Sequence, residues 1–147
     1  MVALMRKARA AADVAIALPA VVRARRRAVR TPLGAFVERV GQTPDGEEID
    51  AAKSLSASER QCGLRWGTAV DRVLRWLPGD AACLVRSGAL RELLRSRGLP
   101  AAEVTIGIRR GAAGFQAHAW VTQHGEPIAE PRALRHQFSA LDGVTIR

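Results

Sequence analysis

Between residues 56 and 97 the apolar positions recur every three or four residues, and beyond Pro100 they alternate. Leu64, Val70, Val73, Leu74 and Leu77 mark the buried face of one helix ending near Leu77. Ser56 and Glu59 open it as a capping box, in which each side chain satisfies the other residue's backbone N–H. Pro78-Gly79 stops that helix. Leu84, Leu90, Leu93 and Leu94 predict a second one running to Ser96 or Arg97, with Gly98 at a left-handed C-cap and Pro100 beyond. Val104, Ile106 and Ile108 then alternate with Thr105, Gly107 and Arg109, the period of a half-buried strand. After a turn in RRGAAG (109–114), Phe115, Ala117, Ala119 and Val121 share one face of a second strand, opposite Gln116, His118, Trp120 and Thr122. The stretch 123–126 (QHGE) reads as a hairpin because Gly125 tolerates positive φ, and a third strand is expected over Ile128 to Glu130. Upstream, residues 2 to about 40 read as helical, with a break or kink at Pro19 and another at Thr31-Pro32, before an acidic surface loop, GQTPDGEEID (41–50). Helices followed by a small antiparallel sheet give the α+β class. A helical arm and acidic loop over 1–55 are expected to pack on a core over 56–147, as one domain overall.

Composition narrows this picture little, but charge changes it. With 48% hydrophobic and 25% charged residues in 147, the chain is globular and large enough to bury a core. The net charge is +9, and residues 1–30 carry eight basic side chains against Asp13, so the arm holds seven of those nine charges. A basic arm invites a nucleic-acid reading, but the chain has no Tyr, only 4% aromatics and no stacking platform for bases. The arm's apolar run AAADVAIALPAVV is shorter than the ~20 residues of a membrane span. The arginines after it also argue against a cleaved signal peptide. It reads as an amphipathic helix that docks on the body or touches a partner or membrane surface. Cys62 and Cys83 form no CxxC, zinc spacing or disulfide framework, so a reduced, cytoplasmic protein is expected. No phosphate loop or metal cluster is present, and no cofactor is expected.

Candidate chemistry begins at Cys83, in the first turn of its helix. The unpaired N–H groups and dipole of a helix start favour a thiolate, and the same N–H groups can receive an oxyanion. The plainer reading is a small buried core residue, which is how Cys62 is read. A nucleophilic thiol needs a base, and His118 is the best placed of three histidines. It lies mid-strand beside Trp120, whereas His124 belongs to an exposed turn and His136 to the tail. A lone strand histidine is also commonly structural. If the hairpin is centred on His124, residues whose numbers sum to about 248 face each other, which sets Glu130 across from His118. A two-residue turn would shift that register by one, and Pro127 can force a bulge. In the expected register, Glu130 would orient the imidazole as the acid does in a Cys-His-acid triad.

Helix-start Cys, strand His and cross-strand acid, in that order, resemble the transglutaminase-like, papain-related fold. The run CLVRSGALRELLRSRGLPAAEVTIGIRRGAAGFQAHAWVTQHGEPIAE resembles, more narrowly, the stand-alone leader peptidases of lasso-peptide biosynthesis, which are transglutaminase-like cysteine proteases. The specific pieces are Cys83 to Ser87, Leu93-Leu94-Arg95, Arg97 to Ala101, Ile106 to Arg109, and Ala117 to Val121, within about residues 66–131. The resemblance implies removal of the leader from a ribosomally made precursor, with Cys83 as nucleophile, His118 as base and then acid, and Glu130 as the orienting group. It implies two partners besides the precursor: a small separate leader-recognition protein, and an asparagine-synthetase-like cyclase that uses ATP to close the macrolactam. The acid is more often Asp in this superfamily, so Glu130 asks for a slightly different strand spacing.

Overall fold

The computed structural model describes residues 1–30, 54–77, 79, 82–112, 114–130 and 137–146. Among them, three helices, α1 (Val2–Arg30), α2 (Ala57–Trp76) and α3 (Ala82–Ser96), precede a sheet of four strands. The strands are β1 (Ala102–Gly111), β2 (Gly114–Gln123), β3 (Glu126–Pro127) and β4 (Ser139–Ile146), in the order β3-β2-β1-β4, each neighbouring pair antiparallel. The three helices pack on one another, and α3 lies on β1 and β2. The expected α+β arrangement is thus the observed one. The expected break or kink at Thr31-Pro32, the helical stretch beyond it to about residue 40 and the acidic loop at 41–50 lie outside the described residues.

Helix α1 runs unbroken through Pro19. An internal proline costs a helix roughly 3 kcal/mol. Here Pro19 faces solvent, while Ala17, Ala20, Val21 and Ala24 form a small-residue stripe in the core, so packing outweighs the lost hydrogen bond. Charge fastens the same helix to its neighbours. Arg65 of α2 donates from Nε to Asp13 at 2.8 Å, and Arg23 donates from Nε to Glu92 of α3 at 2.9 Å.

The α2 capping box forms as the sequence predicts, with Glu59 N donating to Ser56 Oγ and Ser56 N to the Glu59 carboxylate. One expected core residue is wrong: Leu64 is 61% exposed. The buried stripe runs through Gly63, Trp66, Gly67, Val70 and Val73, and Leu64 falls one residue off it. Helix α3 ends in a Schellman turn. Gly98 has φ 89°, Gly98 N–H bonds the Arg95 carbonyl, and Leu99 N–H bonds the Leu94 carbonyl, while both leucines are buried.

In the sheet, β1 and β2 pair without a bulge from Ala102↔Gln123 to Gly111↔Gly114. The third strand is only Glu126–Pro127, displaced from the expected 128–130, because its turn has two residues, His124 and Gly125, both with positive φ. A final strand, β4, which the sequence pattern did not indicate, pairs with β1 with a register shift between Thr105 and Gly107.

Candidate active site

Cys83 is the second residue of α3, so its backbone N–H belongs to the first turn, where no intrahelical acceptor exists. Its side chain is half-buried and heads the stripe that continues through Ser87, Leu90 and Leu94, all fully buried. Together with Leu84 it packs on the cluster formed by Val104, Ile106 and Ala119. The sulfur is therefore held between the start of a helix and the helix-facing side of the sheet. Ser87, one turn further on, has a buried hydroxyl with no hydrogen-bond partner among the described residues.

His118 sits on β2 opposite Gly107. Strand alternation puts it on the face away from Ala119, and Trp120 shares its face. Its ring lies 6.2 Å from Trp120 at an interplanar angle of 21°, and 5.5 Å from Phe138. The indole of Trp120 spreads over Gly107, where a Cβ would come within 2.9 Å of Phe138 and 2.5 Å of the indole. Arg109 covers the other end of this aromatic group, its guanidinium 4.8 Å from the Phe138 ring. Gly107 in mid-strand was the available sequence signal for such a close approach. Cys83 and His118 therefore approach β2 from opposite faces, and among the described residues no hydrogen bond joins them.

Glu130 is not across from His118. The two-residue turn sets Thr122 against Pro127 and Gln123 against Glu126, so the paired numbers sum to one more than the expected 248. The last bond of this ladder runs from Ile128 N–H to the Val121 carbonyl at 2.9 Å. Ala129 then takes φ 59° and carries the chain toward the helices. There Ala129 packs where α2 has Gly67, a position at which a Cβ would collide with it. The Glu130 carboxylate accepts from Arg86 of α3, and Arg86 also donates from Nε to Asp71 of α2 at 2.6 Å and from Nη2 to the Ala129 carbonyl at 3.2 Å. Burial opposes the charge on Arg86. The hydrogen bond to Asp71 and the Glu130 and Asp71 charges outweigh it and hold the guanidinium above its ordinary pKa. Sequence reasoning placed Arg86 in a motif without giving it a partner, because both acids lie far off in the chain.

The other candidates fall away from this region. His124, expected to be exposed, is half-buried with Nε2 3.4 Å from the Glu59 carboxylate. Glu59 also accepts from the Ser56 backbone and hydroxyl, which hold its pKa down at about 2. Burial pushes the Cys62 thiol up, the direction that disfavours a thiolate. His136 lies outside the described residues. Among those described, no cluster of three His, Cys, Asp or Glu side chains is placed to hold a metal, and no helix is long and apolar enough to cross a membrane.

The arrangement thus offers a thiol with helix-start amides beside it, and an imidazole in a separate aromatic layer. A family model described as the transglutaminase-like superfamily matches residues 14–142, from within α1 to within β4. No curated protein and no solved structure matches the chain.

Proposed function

Because the chain belongs to the transglutaminase-like superfamily, we propose that it is a cysteine peptidase that removes the leader from a lasso-peptide precursor. The observation that carries this reading is Cys83, half-buried in the first turn of α3 and seated against the sheet. In the proposed reaction His118 takes the thiol proton, the sulfur attacks the scissile carbonyl, and the oxyanion is received by N–H groups of the α3 first turn. The core's amine leaves with a proton from the imidazolium of His118. Water, losing its proton to the imidazole, then hydrolyses the thioester to free the leader. The released amine is the group that a separate cyclase would join to a side-chain carboxyl, and a small leader-recognition protein would deliver the precursor.

His118 must reach Cys83 for this chemistry, so the reading includes a turn of the β2 stretch around it. That turn has to break the pairing of His118 with Gly107 of β1, and among the described residues the stretch has no second ladder on its outer side before Val121. Glu130, paired with Arg86, serves the fold in this reading, tying the segment after β3 to α2 and α3. The separation of Cys83 from His118 favours a second reading, a transglutaminase-like scaffold without peptidase activity. One experiment decides between them: intact-mass measurement of the precursor after incubation with the protein and its leader-recognition partner. The peptidase reading expects Cys83→Ala and His118→Ala each to abolish cleavage while leaving the melting temperature within a few degrees. Absence of cleavage by the wild type supports the scaffold, and cleavage that survives both changes overturns the assignment of Cys83 and His118.

A further inference from the structure

A groove of about 690 Å³ runs between the N-terminal half of α1 and the outer face of α2, away from Cys83 and His118. That volume lies in the range of binding pockets, ~300–1,000 Å³. Arg6 and Arg9 of α1 and Arg65 and Arg72 of α2 line it, and the one acidic group lining it, Asp13, is already bonded to Arg65. The walls therefore carry three more positive charges than negative. Leu64, misplaced in the core by the sequence pattern, lies in this groove with 61% of its surface exposed. Ser58, Gln61 and Thr68 add polar groups along the same wall of α2.

We infer that this groove docks an acidic, amphipathic helical segment of a partner protein. Acidic residues on the segment would meet Arg6, Arg9 and Arg72, and an apolar side chain between them would cover Leu64, in the manner of a helix laid in a groove. Charge complementarity carries the choice of occupant. A nucleic acid would seek an aromatic face on which to stack bases. The nearest ring, Trp66, is 3% exposed and already has the guanidinium groups of Arg65 and Arg97 against it, at 5.0 and 4.6 Å. A flat membrane surface would not enter a concave site with its one exposed leucine on a wall.

The test uses the full chain and fluorescence anisotropy of a labelled synthetic helix built from Glu and Leu, with Leu at i, i+3, i+4 and i+7. Saturable binding that fades as salt rises is expected. The combined change Arg6→Gln, Arg9→Gln, Arg72→Gln should weaken it about tenfold or more, because three exposed contacts that are each weak alone are lost together. Leu64→Ser should weaken it too, whereas Arg26→Gln with Arg30→Gln, beyond the groove, should not. Equal binding of a Lys–Leu peptide, or insensitivity to the groove changes, would overturn the inference. Tighter, groove-dependent binding of an oligonucleotide or of anionic vesicles would overturn it as well. So would binding that appears only after Asp45, Glu47, Glu48 and Asp50 are neutralised, which would make the chain's own acidic segment the occupant.

Discussion

At the scale of single residues, Glu130 shows how one backbone angle redirects a side chain. Cross-strand counting assigns it to His118, but a two-residue turn and positive φ at Ala129 send it to Arg86. The two-residue turn was one of the registers the pattern left open, but the angle at Ala129 is not written there, since alanine does not announce a left-handed turn. The place of Cys83 at the start of α3, by contrast, was legible, because a helix start is a local property signalled in the sequence by a Pro-Gly pair and the leucines that follow. The side chains of Arg86 and Glu130 are only 17% and 13% exposed. Removing Glu130 leaves Arg86 with Asp71 and the Ala129 carbonyl but takes away its most buried charge partner, at a cost of about 1–3 kcal/mol, less than that of a fully broken buried pair. Glu130→Ala should therefore lower the unfolding free energy by that amount, read as a lower urea midpoint at an unchanged slope, while cleavage per folded molecule stays near wild type. A Glu130 that oriented the imidazole directly would give the opposite pattern, a stable but slow enzyme. Parallel denaturation and cleavage measurements on this variant separate the two.

The elements were read well where period and caps agree. The capping box of α2 and the Schellman turn of α3 formed as predicted because each needs only residues within one helical turn of the end. Strand β4 and the face of Leu64 were missed because both depend on packing between distant elements. A glycine pair, Gly63 and Gly67, sets the α2 face by admitting Ile128 and Ala129, so the stripe there follows small residues rather than large apolar ones. The α2 cap also carries a pH dependence. Glu59 is depressed from 4.5 to about 2, chiefly by the hydrogen bond from the Ser56 backbone and then that from its hydroxyl. A carboxylate of this kind stabilises the fold fully above its unfolded value and loses that contribution as pH falls through the folded one. Asp13, lowered chiefly by its hydrogen bond from Arg65, works in the same direction. Glu59→Gln should destabilise by about 1 kcal/mol at neutral pH, the usual worth of a capping interaction. The gap from wild type should start to close below pH 4.5 and be largely gone near pH 2. A gap constant across that range would show that the Glu59 charge adds nothing to the cap.

At the scale of the whole molecule, the N-terminal basic segment proves to be part of the core as well as a surface. Its stripe Ala17, Ala20, Val21 and Ala24 joins the same buried cluster as Val70, Leu90 and Val121, so the helices and one end of the sheet share a core, beside the smaller cluster of Val104, Ile106 and Ala119. The superfamily match, which begins inside α1, follows that continuity. Helix α3 is what couples this core to the proposed chemistry, because it holds Cys83 at one end and the core through Leu90 and Leu94 along its length. The most direct test is to catch the acyl group on that sulfur: acid-quench a reaction with precursor, digest, and map the leader's new C-terminus by mass spectrometry. A thioester on the peptide containing Cys83, absent from Cys83→Ala, is the predicted result. Precursor cleavage with no such adduct and undiminished by Cys83→Ala, or an adduct on Cys62 instead, would contradict it.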